Sequence, residues 1–164
     1  MPYGSKSKYF FAIIPENSRS TRWQCAWDGH PLLAKRVIEL KDFANQPFVS
    51  LSSNDPYRVL IDETFARAGI ARRQMIETPT AVSVCSFVRQ GLGLAIVNPL
   101  TALDFVGHNL HIRPLAVSLP FRVSVIRPEH RPSHPLAGAF LEALQSEAAA
   151  LRLQLNDHTK RKQS

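Results

Sequence analysis

The sequence predicts an α/β fold on a largely parallel sheet, and three observations carry that reading. Short apolar runs of strand length, FVSL, QMIE and LAIV, recur between residues 48 and 97. Longer stretches of helical periodicity lie between them, opened by capping residues and closed by glycines. No internal repeat or low-complexity tract interrupts the alternation.

Taken in order, WQCAW before the turn Asp28-Gly29 is a candidate short strand, and His30 in DGHPLL closes the turn. The amphipathic VIELKDF leads to FVSL, residues 48–51. Asp55 is placed to cap a helix with Pro56 at its first position. Tyr57, Leu60, Ile61, Phe65 and Ala68 then share one face, and Gly69 stops the helix. QMIE, residues 74–77, is the next strand, and Thr80 caps a helix to Gln90 with Val84, Phe87 and Val88 inward. LAIV, residues 94–97, is a buried strand, followed by HIRPLAV and by FRVSVIR, which alternates at Phe121, Val123 and Val125. Ser133 caps a last helix whose apolar positions are Leu136, Phe140, Leu141, Leu144 and Leu151.

A chain of 164 residues can bury one ordinary core or two small lobes, and 45% hydrophobic with 20% charged residues is a globular balance. No apolar run approaches the ~20 residues of a membrane-spanning helix, and MPYGSKSKYFFAIIPENS lacks a small-residue cleavage site. The expected compartment is the cytoplasm. There Cys25 and Cys85, which form no CxxC, are expected to be free and buried. The net charge is +7, but residues 1–22 carry +3 of it and residues 156–164 carry +2. A basic excess lying mainly at the ends adds unspecific attraction to phosphates and builds no recognition surface.

The Gly-x-Gly of VRQGLGLAIV invites a phosphate-binding reading, which its surroundings exclude. A dinucleotide fingerprint runs strand, glycines, helix, so that the phosphates meet a helix N-terminus. Here a helix ends at Gly91 and a strand begins after Gly93. Gly91 is expected to supply a positive φ at the helix end, and Gly93 a close backbone approach.

The helix start that faces a ligand is at ETPTAVSV. In open α/β sheets ligands gather beyond the carboxyl ends of strands, and helix N-termini favour carboxylates. The candidate set is Ser50, Ser52, Thr78, Pro79, Thr80, Ala81, Val82 and Ser83. The hydroxyls would hydrogen-bond a carboxylate or ammonium, and the amides of Ala81 and Val82 would receive the anion. Equally, Thr80 is a plain helix cap and Ser83 a surface filler. Catalytic signatures are lacking: no G-x-S-x-G, HExxH or Walker lysine occurs. Pro132 separates His130 from His134, which disfavours a shared metal, and the adjacent Asp62 and Glu63 point different ways on their helix. No catalytic residue, metal ligand or cofactor is expected.

The ordered motifs GHPLL, FVSL, DPYRVLIDETFARAGI, ETPTAVSVCSFVRQGLGLAIVNP and RPEHRPSHPLAGAFLEAL resemble the effector-binding domain of LysR-type transcriptional regulators. The match runs from about Gln24 to Gln145. NPLTALDF with VSVIRPEHRPS is similar to the branch that activates lysine biosynthesis in response to diaminopimelate, and to relatives that sense opines or basic amino acids.

The resemblance implies a Rossmann-like lobe of a periplasmic-binding-protein-like (type 2) effector domain, with the first lobe largely missing. Residues 23–117 would be the second lobe, and 118–152 a strand and helix returning to the first. Residues 153–164 would be a basic disordered tail, and 1–22 an unassigned, poorly ordered or aberrant start. It further implies a small amino-acid-like effector, homo-oligomers in the full-length family, and DNA contact only through a helix-turn-helix that this chain lacks. The implied mechanism is a population shift between two lobe arrangements. Two other readings stay open: a non-functional remnant or interaction module, and a small-molecule enzyme on a flavodoxin-like fold.

Overall fold

The computed structural model describes residues 23–107, 109–120, 125 and 134–161. Among these residues five strands appear: β1 (Trp23–Trp27), β2 (Pro47–Leu51), β3 (Arg73–Thr78), β4 (Ala95–Val97) and β5 (Leu110–Pro114). Four helices accompany them: α1 (Pro56–Arg67), α2 (Ala81–Arg89), α3 (Pro99–Phe105) and α4 (Leu136–Arg161). β2 and β3 pair in parallel, and β1 lies antiparallel between β4 and β5. A parallel bridge from Phe48 to Leu94 stitches β2 to β4, giving the order β3-β2-β4-β1-β5 with only β1 reversed.

Alternation along the strands explains the two-sided core. Cys25, Val49, Leu51, Ala95 and Val97 face the α2 side, where they meet Val84, Cys85 and Val88. Ala26, Phe48, Leu94 and Ile96 face the other side, against Ile61 and Phe65 of α1 and against Phe43. Phe43, Phe48 and Phe65 pack edge to face, with centroids 5.5 to 6.3 Å apart.

Both cysteines are free and buried, as expected. The Cys25 thiol, hydrogen-bonded to Cys85 and shut away from water, is held well above the ordinary thiol range. His30 closes its turn: its N–H bonds to the Trp27 carbonyl at 3.2 Å. Its Nδ1 accepts from the Leu32 N–H at 3.1 Å, at the head of a 3-10 turn over Pro31–Ala34.

The glycines do what their context requires. Gly91 takes φ +76° past the end of α2. At Gly93 a β-carbon would lie 2.8 Å from the Pro47 carbonyl oxygen, so only glycine allows the β2–β4 stitch.

VIELKDF holds a 3-10 turn at Leu40–Phe43. Asn98-Pro99 opens a helix absent from the sequence reading, α3: Asn98 Oδ1 accepts from the Thr101 N–H at 2.9 Å, and Pro99 stands in the first turn. Two features depart from expectation. Ala68, placed on the inner face of α1, is exposed. The last helix runs on through Arg161, so residues 153–161 are helical where a disordered tail was expected. Leu155, within that segment, is buried in the α2-side core, and Ala148 is buried two turns before it. The alternation of FRVSVIR and the Ser133 cap lie outside the described residues. No helix among the described residues is long and apolar enough to cross a membrane.

Candidate functional site

Because β2, β3, β4 and β5 run the same way, their carboxyl ends open at one edge of the sheet. The β2–α1 and β3–α2 loops lie there, and each leads into a capped helix. Asp55 Oδ1 accepts from the N–H groups of Tyr57 at 2.8 Å and Arg58 at 3.2 Å. Thr80 Oγ1 accepts from the Ser83 N–H at 3.1 Å, and the two hydroxyls meet at 2.9 Å. Thr80 is therefore a helix cap in the structure, with Ser83 as its partner.

The expected residues divide between the faces of the sheet. Leu51 pairs with Thr78 in register and points to the α2 side; Ser50 pairs with Glu77 and points to the α1 side. Thr78 is buried at the mouth of the β3–α2 loop, where Pro79, Thr80 and Val82 are exposed and Ala81 and Ser83 half-buried. Ser50, only 3% exposed, lies beneath the other loop; Ser52 above it is half-buried. The Ser50 hydroxyl donates to the Leu51 carbonyl at 3.0 Å and accepts from Arg58.

Arg58 is the central group on that side. Its Nε bonds to Asp62, one turn on, at 2.7 Å. Its Nη1 reaches the Leu51 carbonyl at 2.7 Å, the Ser50 hydroxyl, and Glu77 Oε2 at 3.4 Å. Glu77 Oε1 accepts from the Ser53 N–H at 3.0 Å, tying β3 to the β2–α1 loop. Asp62 also pairs with Arg72, whose guanidinium lies 4.7 Å from the Phe48 ring centre and 4.3 Å from that of Phe65. Burial lowers the Arg72 pKa, opposed by Asp62.

Arg58 and Glu77 were not in the expected set. Arg58 was legible only as the start of an i,i+4 pair with Asp62, and Glu77 only as the residue before TPT; their meeting depends on the β2–β3 register.

A second polar group is buried near this edge. Gln24 of β1 is fully buried opposite Ile96, and its Oε1 has no hydrogen-bond partner among the described residues. Its amide donates to the Cys25 carbonyl at 3.2 Å. Among the described residues no group of three His, Cys, Asp or Glu side chains is placed to hold a metal.

Comparison with known proteins fits this architecture. The LysR substrate binding domain family matches residues 19–149. The Escherichia coli transcriptional activator protein LysR is 47% identical over 118 residues, which are 72% of this chain and 38% of that protein. The regulatory protein NocR of Agrobacterium tumefaciens is 26% identical over 75% of this chain and 41% of its own length. The chain thus spans well under half the length of these relatives. The BenM effector binding domain, solved with its effector benzoate, superimposes with a TM-score of 0.65 at 13% identity, over 92% of this chain and 68% of that one. The CcmR regulatory domain of Synechocystis PCC6803, solved with 2-PG, gives 0.63 at 16% identity, over 85% of this chain and 72% of that one. The chain belongs to the LysR substrate-binding-domain family, whose relatives are transcriptional regulators and not enzymes.

Proposed function

We infer that this chain is the sensing part of a LysR-type regulator, and that its effector is a small amino-acid-like molecule of the diaminopimelate, lysine or opine class. The single observation that carries the reading is the pair of capped loops at the carboxyl edge of the sheet. Hydroxyls and helix-end amides there lie beside an arginine and a glutamate, so one edge offers both charges. The similarity to the LysR activator and to NocR supports the class.

On this reading residues 23–117 act as the second lobe of the domain, in the cytoplasm. A first lobe supplies the other half of the ligand contacts and covers α4. Leu136 and Phe140, 68% and 65% exposed, are the side chains it would bury. The effector shifts the balance between lobe arrangements in a homo-oligomer, and DNA is read by a helix-turn-helix outside this chain.

A thermal-shift panel tests the class. Diaminopimelate, lysine and arginine at millimolar concentration should raise the melting temperature by mass action, and benzoate and shikimate should not. Stabilisation by the aromatic or alicyclic acids alone would overturn the reading.

A further inference from the structure

The hydrogen-bonding capacity around Arg58 is not fully used, although two arginines balance two carboxylates there. Nη1 carries two hydrogens, and the Leu51 carbonyl and Ser50 hydroxyl already take them. Glu77 Oε2, at 3.4 Å, is a third acceptor for two hydrogens and holds the loosest bond of the group. Nε is engaged by Asp62. Nη2 meets no acceptor among the described residues. An unused guanidinium edge and an under-used carboxylate therefore stand side by side at the mouth of the β2–α1 loop. The guanidinium is anchored, its side chain 11% exposed and held by bonds to Asp62, Ser50 and the Leu51 carbonyl, whereas the Glu77 side chain is 43% exposed.

We propose that Arg58 and Glu77 form the charge-reading pair of the site: Arg58 Nη2 receives a carboxylate of the ligand, and Glu77 Oε2 turns from Arg58 to receive its ammonium. The inference rests on the effector reading above and deepens it. It assigns recognition of charge to two side chains on the α1 side, leaving the hydroxyls of Thr78 and Thr80 to shape and register. A guanidinium held on Nε and Nη1 is pre-ordered, so little side-chain freedom is lost when a carboxylate arrives. A zwitterion satisfies both groups. A dicarboxylate satisfies one and meets Glu77 as a like charge; a diamine does the reverse.

The test is an NMR titration of the 164-residue chain with lysine, glutarate and cadaverine, following the backbone amides of residues 52–58 and 77–83 and the Arg58 Nε–H. Lysine should move these signals at the lowest concentration of the three. Arg58→Gln should weaken lysine by about tenfold or more, the lower end for a charge-assisted bond. Glu77→Gln, nearly isosteric, should weaken lysine but spare glutarate, closing the gap between them. If Arg58→Gln loses its dispersed spectrum, Arg58→Lys and Glu77→Gln carry the test, with Arg58→Lys expected to weaken lysine while the fold persists. Unchanged selectivity for lysine over glutarate in Glu77→Gln, or unchanged lysine affinity in the folded Arg58 variant, overturns the pair and leaves the effector reading standing. A wild-type chain silent toward lysine overturns the pair, and silence toward every amino acid in the chain joined behind a complete first lobe overturns the effector reading as well.

Discussion

Gly93 lies so close to Pro47 that an added β-carbon would sit 2.8 Å from the Pro47 carbonyl oxygen. Two backbone bonds need that approach: Leu94 N–H to the Pro47 carbonyl and Val49 N–H to the Leu94 carbonyl, each 2.8 Å. They join the two-stranded and three-stranded parts of the sheet. Gly93→Ala should therefore cost about 1–3 kcal/mol, as overpacking does. A lower urea midpoint with unchanged slope would show it; an unshifted midpoint would mean the stitch is dispensable.

Gln24 makes the opposite prediction. Its buried Oε1 has no partner among the described residues, and a buried unsatisfied acceptor costs about 1–3 kcal/mol. Gln24→Met keeps the length and removes the orphan, so it should stabilise the chain by about 1 kcal/mol in the same denaturation experiment. Destabilisation would mean that the amide bond to the Cys25 carbonyl matters more.

His30 gives the fold a pH dependence. Burial lowers its pKa, and its Nδ1 must stay unprotonated to accept from the Leu32 N–H. The unfolded chain takes up that proton at a higher pH than the folded one. The contribution is intact above the unfolded value of about 6.5 and is lost as pH falls from there through the lower folded value. His30→Asn keeps a capping acceptor without a titrating ring. Melting temperature plotted against pH should be flatter for this variant in that interval; identical profiles would exclude His30 as the source.

The exposed Leu136 and Phe140 lie one turn apart on α4, while Ala148 and Leu155 further along are buried. The first half of the helix thus presents an uncovered apolar face, a common route to self-association. Light scattering should show concentration-dependent association of the chain, reduced in Leu136→Glu/Phe140→Glu. A monomer at all concentrations would contradict this.

Much of the fold was legible because its signals are local. Asp55-Pro56, Thr80 and Gly91 mark helix ends through bonds within a few residues, and FVSL and LAIV mark strands by composition alone. α3 was missed because Asn98-Pro99 serves both as a stop and as a helix start, and seven residues are too few for periodicity to decide. The helical stretch after Arg152 was missed because its polar composition outweighed the single anchor Leu155. At the site, the loop hydroxyls were visible, but the face each takes follows from register. Arg58, Ser50 and Glu77 meet only because Ser50 pairs with Glu77 across β2 and β3.

The measurement that bears most directly on the central claim is calorimetric titration of diaminopimelate, lysine and arginine into residues 23–161, which keep all of β1 and the buried Leu155 of α4, joined behind a complete first lobe of a family member. At least one of them should bind saturably, and Thr78→Val and Thr80→Val should each weaken it by about 1 kcal/mol, the worth of one hydrogen bond. Binding that survives unchanged in both variants would contradict the placement of the effector at the carboxyl edge of the sheet, and the absence of binding by all three would contradict the effector class.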